Sequence, residues 1–308
     1  MKMPSNLLLL VFSVLLLNAC SSSKKDTADQ SVENQKIVAE GATPRLISKQ
    51  FSFTEGPAAD KAGNVFFTDQ PNDKIWKYGT DGQLSVFFDH AGRANGMYFD
   101  KDGNLISCSD ENNEIWSITP DKKVTVLVSG LNNLRFNGPN DLWVHPANGG
   151  IYFTDPNYKR DYWKSTAPQI EGQKVYYLAK GSKEPVVVDD VVKKPNGIVG
   201  TPDGKYLYVA DIGDNKTYKY AINPDGTLQK GQLFVEQGSD GMTIDARGNI
   251  YLTGKGVMVY DKNGKKIEQI DIPDGWTANV CFAGKKRDKL FITASKSVYI
   301  LDMAVRGI

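Results

Sequence analysis

Asn137-Gly138-Pro139-Asn140-Asp141-Leu142-Trp143-Val144, followed by Gly150-Ile151-Tyr152-Phe153-Thr154-Asp155, is the stretch on which the fold is decided. It reads as a polar turn, a short apolar strand, a second turn, another apolar strand and an exit turn. The unit recurs along the chain. Glu55-Gly56-Pro57-Ala58-Ala59 precedes Val65-Phe66-Phe67-Thr68-Asp69, and Asn95-Gly96-Met97-Tyr98-Phe99 precedes Leu105-Ile106. Asn196-Gly197-Ile198-Val199 precedes Tyr206-Leu207-Tyr208-Val209, and Asp240-Gly241-Met242-Thr243-Ile244 precedes Ile250-Tyr251-Leu252-Thr253. Asn279-Val280-Cys281-Phe282 precedes Leu290-Phe291-Ile292-Thr293. Copies spaced about 40 to 55 residues apart point to a radial array of blades.

A third strand signal follows in each copy, and a fourth in all but the last. A third, aromatic strand is seen at Ile75-Trp76-Lys77-Tyr78, Ile115-Trp116-Ser117-Ile118 and Val175-Tyr176-Tyr177-Leu178. An outer strand follows at Leu84 to Phe88, Val124 to Val128, Val186 to Val188, Leu233 to Val235 and Ile267 to Ile270. The sixth copy has no outer strand after Val298-Tyr299-Ile300-Leu301, and Arg45-Leu46-Ile47-Ser48, ahead of the first copy, fits its place. The expected fold is therefore all-β: a six-bladed propeller of four-stranded blades over residues 44–308, closed by an N-terminal strand. That closure leaves no open sheet edge.

Residues 1–19 are expected to lie outside the fold. Leu7 to Leu17 is apolar but too short to cross a bilayer, and it ends Leu17-Asn18-Ala19-Cys20. A small residue before a cysteine resembles a bacterial lipoprotein signal, with Cys20 acylated and the protein lipid-anchored at the cell envelope; the other reading is an ordinary secretory signal. Residues 20–43 are mostly polar and read as a tether. The full chain has 37 Lys and Arg against 36 Asp and Glu, and removal of residues 1–19 takes away Lys2 and leaves the two equal. A neutral chain gives no electrostatic case for nucleic acid. Cys108 and Cys281 fall in distant repeats and are expected to be free, buried thiols.

The residue just before each inner strand is Glu55, Asn95, Asn140, Asn196, Asp240 or Asn279. Each stands at nearly the same offset from its second strand, and equal offset in a radial repeat means equal position in space. These side chains should ring one mouth of the channel. All bear oxygen and two are carboxylates, the donor set that calcium prefers. The competing explanation is that Asn-Gly and Asp-Gly are common turn dipeptides tolerant of positive φ. It covers Asn95, Asn196 and Asp240, but not Glu55, nor Asn140 with its following Asp141.

Phe53-Thr54-Glu55-Gly56-Pro57, Gly138-Pro139-Asn140-Asp141-Leu142, Pro195-Asn196-Gly197-Ile198, Asp240-Gly241-Met242 and Asn279-Val280-Cys281-Phe282 are similar to the gluconolactonase, senescence-marker-protein and luciferin-regenerating-enzyme family of six-bladed propeller hydrolases. The resemblance covers about residues 44 to 303. It implies a divalent cation, usually calcium, held by Glu55, Asn140, Asn196 and Asp240, and hydrolysis of small lactones, with phosphotriesters cleaved by related enzymes. Asp155-Pro156-Asn157-Tyr158-Lys159 departs from the Asp-Pro-Pro-Tyr-Gly of many lactonases, which bears on substrate range.

The other candidates are weaker. Asp69, Asp110, Asp155 and Asp211 close second strands near the same mouth and are read first as turn residues. His145 should face the opposite end, so no Ser/His/Asp triad, histidine-based zinc site or histidine dyad can be assembled. Residues 156–172 form the longest insertion, either a cap carrying Tyr158, Arg160, Tyr162 and Trp163 or an exposed loop. The expectation is a calcium-dependent lactonase in which the ion polarises the ester carbonyl and Asp240 acts as base or nucleophile, with Asn95, Asn140 and Asn279 binding the substrate. A non-catalytic propeller that binds a sugar or protein partner is the opposing class.

Overall fold

In a computed structural model the described residues are Met1 and 36–308, so Cys20 and nearly all of the expected signal and tether lie outside them. Six four-stranded antiparallel sheets carry the architecture, each ordered from an inner to an outer strand. Blade 1 runs Thr54–Ala59, Val65–Asp69, Lys74–Tyr78 and Leu84–Asp89, and blade 2 runs Ala94–Phe99, Leu105–Ser109, Glu114–Ile118 and Val124–Val128. Blade 3 runs Leu142–Val144, Ile151–Asp155, Lys174–Leu178 and Val186–Asp189. Blade 4 runs Pro195–Gly200, Tyr206–Asp211, Lys216–Ala221 and Gln232–Val235, and blade 5 runs Met242–Ile244, Ile250–Gly254, Gly256–Tyr260 and Lys266–Ile270. Blade 6 takes Thr277–Ala283, Lys289–Ala294 and Ser297–Asp302 from the C-terminal side, and Arg45–Ser48 is its outer strand, with Arg45 opposite Ile300 and Leu46 opposite Tyr299.

The blades stack through their faces. Trp143 and Tyr152 of blade 3 pack with Ile198 and Tyr208 of blade 4, and the same cluster continues to Met242 and Ile250 of blade 5. Tyr251 of blade 5 meets Phe282 of blade 6, and Phe67 of blade 1 meets Phe291 of blade 6. Full burial of a large apolar side chain contributes about 1.5–3 kcal/mol, so these contacts between blades are what hold the ring together. The outer strands are the exposed elements: Val86, Val126, Val186 and Leu233 all face solvent.

Four observations correct the sequence reading. The packed chain begins at Ile37, ahead of the expected boundary at 44: Ile37 is buried and Val38 bridges Met303. An apolar Ile-Val pair at the end of a polar tether finds a place beside the C-terminal segment. Cys108 is buried as expected, but Cys281 is only partly so, because it lines the central channel. A short hairpin, Gly130–Leu131 with Leu134–Arg135, links blades 2 and 3 and had no signal above its turn residues. Finally, Glu55, Asn95, Asn196 and Asn279 lie inside their inner strands and not ahead of them, at a shift in register in each case. Such a bulge re-aims a side chain at a sheet's edge.

Candidate metal centre and its mouth

Glycine follows four of the ring residues; Gly56 has positive φ, at 50°, but at the other three the reason is not the turn conformation. Gly96, Gly197 and Gly241 do not have positive φ, and neither do Asn95, Asn196 and Asp240. A Cβ on Gly96 would lie 2.6 Å from the Asn140 carbonyl oxygen, and one on Gly197 2.7 Å from that of Asp240. A Cβ on Gly56 would strike the Asn95 carbonyl, and one on Gly241 the Asn279 side chain. Each glycine lets the next blade's ring residue come against it. Backbone bonds seal two of these junctions, with Gly96 N donating to Asn140 O at 2.7 Å and Gly241 N to Ala278 O at 2.8 Å. Where glycine is missing, a side chain does the bridging. Asp141 accepts from Leu142 N at 2.9 Å and from the backbone of Ile198 in the next blade. Asn279 Nδ2 donates to Glu55 Oε2 at 3.1 Å and closes the circle between blades 6 and 1. The turn-dipeptide explanation therefore fails, and the ring is a built feature.

All six ring residues are buried or nearly so, Asp240 being the most open. Asn196 Nδ2 donates to Asp240 Oδ1 at 2.8 Å and to Tyr158 Oη at 2.7 Å. Trp276 Nε1 donates to Asp240 Oδ2 at 2.5 Å. Burial raises the Glu55 carboxyl well above the usual carboxylate range, reinforced by repulsion from Asp240 and Asp141. Burial likewise raises Asp240 to about 6, against bonds from Trp276 and Asn196 and the charges of Arg160 and Lys194. Asp141 is pushed to about 8 by burial, opposed by its hydrogen bonds. Two oxygens, Asn95 Oδ1 and Asn196 Oδ1, are buried with no hydrogen-bond partner among the described residues. Orphaned amide oxygens beside carboxylates that repel one another are costly unless a cation joins them. The donors present fit a hard divalent ion. Among the described residues no set of three His, Cys, Asp or Glu side chains is grouped to hold a metal, so an ion bound here would draw on amide oxygens as well.

The remaining candidates sort cleanly. Asp69 Oδ1 accepts from Ser52 N and Phe53 N, Asp155 from Asn137 N and Gly138 N, and Asp211 from Lys193 N and Lys194 N. These carboxylates hold the loop that delivers each ring residue. Asp110 differs: it accepts from Gln70 Nε2 and Arg160 Nε, both at 2.9 Å, and from the Tyr162 hydroxyl. Trp163 Nε1 donates to the Asp110 carbonyl at 2.6 Å, and Trp163 packs on Gly138. The insertion at residues 156–172 is thus fastened across the mouth and is not a loose loop. His145 binds Gly204 O at 3.1 Å and lines the opposite end of a central channel of about 550 Å³, with Arg287 and Ile308.

Sequence reasoning missed Trp276, Lys194 and the Tyr158–Asn196 contact. Trp276 is half-exposed in a turn before blade 6, where no periodicity marks it, and Lys194 is one lysine among many. Tyr158 carried a signal, as an aromatic residue in the longest insertion, but its target is set by the way the insertion folds back.

Comparison with known proteins agrees with this fold. A family model described as the SMP-30/Gluconolactonase/LRE-like region matches residues 53–296. The gluconolactonase of Zymomonas mobilis subsp. mobilis is 27% identical over 288 residues, covering 83% of this chain and 80% of that protein. A gluconolactonase structure from Xanthomonas campestris superposes with a TM-score of 0.81 at 26% identity, over 89% of this chain and 92% of that one. Another solved structure, whose gluconolactonase assignment is provisional, gives a TM-score of 0.82 at 30% identity, over 90% and 97%.

Proposed function

The chain belongs to the SMP-30/gluconolactonase/LRE-like family, and from that premise we propose that it is a calcium-dependent hydrolase of small lactones. The observation that carries the reading is Asn196. Its amide nitrogen is committed to Asp240 and Tyr158, while its buried oxygen has no partner and stands among the carboxylates. Glu55, Asn140, Asn196 and Asp240 would hold the ion, which when bound supplies Lewis acidity toward the lactone carbonyl. Named relatives that hydrolyse lactones support the choice of substrate.

The chain's own residues divide the remaining work. Asp240 takes a proton from the water that attacks the carbonyl carbon. The acyl–oxygen bond then breaks, and the ring oxygen leaves as a hydroxyl after taking that proton. Trp276 and Asn196 fix the two Asp240 oxygens, so the base has one orientation. Asn95, whose oxygen has no partner among the described residues, would meet a substrate hydroxyl, as would Asn140; Asn279 is engaged with Glu55 and Val280 N, and its first task would be to set Glu55. The test is hydrolysis of a panel of lactones with calcium and after chelation. Activity that calcium restores supports the reading, whereas no turnover of any lactone or ester replaces it with a binding propeller.

Anchoring through Cys20 at a bacterial envelope is a separate proposal, motivated by Leu17-Asn18-Ala19-Cys20. Cys20→Ser should release the protein from membranes; unaltered membrane association would sink it.

A further inference from the structure

Two cations lie against one aromatic ring at the mouth. Lys194 Nζ lies 3.9 Å from the centroid of the Tyr158 ring, and the Arg160 guanidinium carbon lies 5.0 Å from it. The Tyr158 hydroxyl is bonded to Asn196, so this cluster adjoins the oxygen ring. The two cations come from different blades, Lys194 from the loop entering blade 4 and Arg160 from the insertion of blade 3.

Both are fixed from behind. Lys194 N donates to Asp211 Oδ1 at 2.9 Å, and its carbonyl accepts from Ile212 N at 3.0 Å. Arg160 donates through Nε to the buried Asp110, and its side chain is only 25% exposed. Asp110 matches the Arg160 charge. Lys194 has no contact partner of this kind: among the described residues its ammonium makes no hydrogen bond and no ion pair, its contact is the Tyr158 ring, and the Asp240 carboxylate acts on it only from a distance. A cation over an aromatic face gains about 0.5–2 kcal/mol, but the face accepts none of the ammonium's three N–H donors in the way an anion does. The outer guanidinium nitrogens of Arg160 are likewise free of partners among the described residues.

We propose that the substrate of this site carries an anionic group, a carboxylate or phosphate remote from the lactone carbonyl, which Lys194 and Arg160 bind beside the oxygen ring. The inference rests on the lactonase reading for the identity of the reacting group, but the anion site stands on its own geometry. Arg160 offers a planar fork suited to carboxylate or phosphate, and Lys194 adds a point charge. Tyr158 is in contact with both cations and joins their position to Asn196. The departure at Asp155-Pro156-Asn157-Tyr158-Lys159 falls in the segment that supplies Tyr158 and Arg160.

The test uses the full chain loaded with calcium and three lactones: neutral D-glucono-1,5-lactone, D-glucaro-1,4-lactone with a carboxylate, and 6-phospho-D-glucono-1,5-lactone. The ratio of kcat/KM for the better anionic lactone over the neutral one should be tenfold or more. Lys194→Met should lower that ratio about tenfold, and Lys194→Arg should restore most of it. The preferred anionic lactone tells carboxylate from phosphate. A ratio near one, or a ratio that Lys194→Met leaves unchanged, overturns the proposal. Calorimetry with gluconate, glucarate and 6-phosphogluconate gives a readout without turnover. The two acids with the extra charge should bind more tightly than gluconate, and the difference should vanish in Lys194→Met. Equal affinities for the three acids overturn the proposal even if lactones are hydrolysed. Charge-selective binding without hydrolysis of any lactone overturns the lactonase reading and upholds this one.

Discussion

Glu55 and Asp240 are the two ring residues whose charge the proposed ion offsets, and each is testable alone. Glu55→Gln keeps the shape of the side chain and one oxygen donor but removes half of the ring's charge. Calcium affinity should fall at least tenfold, measured by calorimetry on the purified protein. Equal affinity in both forms would remove Glu55 from the ligand set. Asp240→Asn keeps an oxygen toward Asn196 and loses basicity. With calcium at saturation, kcat on a lactone should drop roughly a hundredfold or more, the usual loss when a general base is removed. Near-native turnover under those conditions would leave Asp240 as a ligand only. At this scale the ring was legible in the sequence, because one offset repeated in every copy. Asp141 was quoted in the same motif, yet its role as the bridge to Ile198 shows only when blade 4 is beside it.

At the scale of elements, the inner strands owe their close approach to glycine. Gly197→Ala would set a methyl group 2.7 Å from the Asp240 carbonyl oxygen, a backbone atom that cannot swing away. The expected cost is about 1–3 kcal/mol, the usual range for overpacking, together with weaker calcium binding, because Asp240 must shift. Unchanged thermal stability and calcium affinity would show that the blades have slack at this junction. The insertion offers a second test. Asp110→Asn removes the charge that Arg160 and Tyr162 share, so trypsin should cut after Lys159, Arg160 or Lys164 several-fold faster. An unaltered cleavage rate would mean that Trp163 and Ile170, both buried, are enough to hold the segment.

For the whole molecule, closure depends on chain segments far apart in sequence. Arg45–Ser48 completes blade 6, Val38 bridges Met303, and Ile37 is buried at the edge of the same core. Ile37→Ala should destabilise the propeller by about 2–5 kcal/mol, the range for a buried isoleucine, read as a lower melting temperature. No shift would mean that residues 37–43 behave as a free tether. The proposed calcium would act on the whole ring, since the residues proposed to hold it come from different blades. At a hundredfold excess over Kd it should add about 2.7 kcal/mol of stability by mass action. A melting temperature indifferent to calcium and chelator would count against a site of this kind.

What the sequence determined by itself is whatever repeats. Apolar alternation and a constant offset gave the blades, the closing strand Arg45–Ser48 and the ring of Glu55, Asn95, Asn140, Asn196, Asp240 and Asn279, because those follow from local periodicity and radial symmetry. Outer strand positions were legible to within about a residue for the same reason. What only the tertiary structure decided is whatever breaks the repeat. Tyr158, Lys194 and Trp276 occur once each in their settings, with no second copy to show an equivalent place, and they reach Asn196 and Asp240 from other blades or from loops. The glycines after the ring residues looked like turn formers, and each is pressed by the next blade's ring residue, a neighbour that no local pattern contains. Ile37 looked like the end of a polar segment, and its burial depends on the C-terminal strand beside it. Each of these is a contact between distant parts of the chain, fixed by closing the ring.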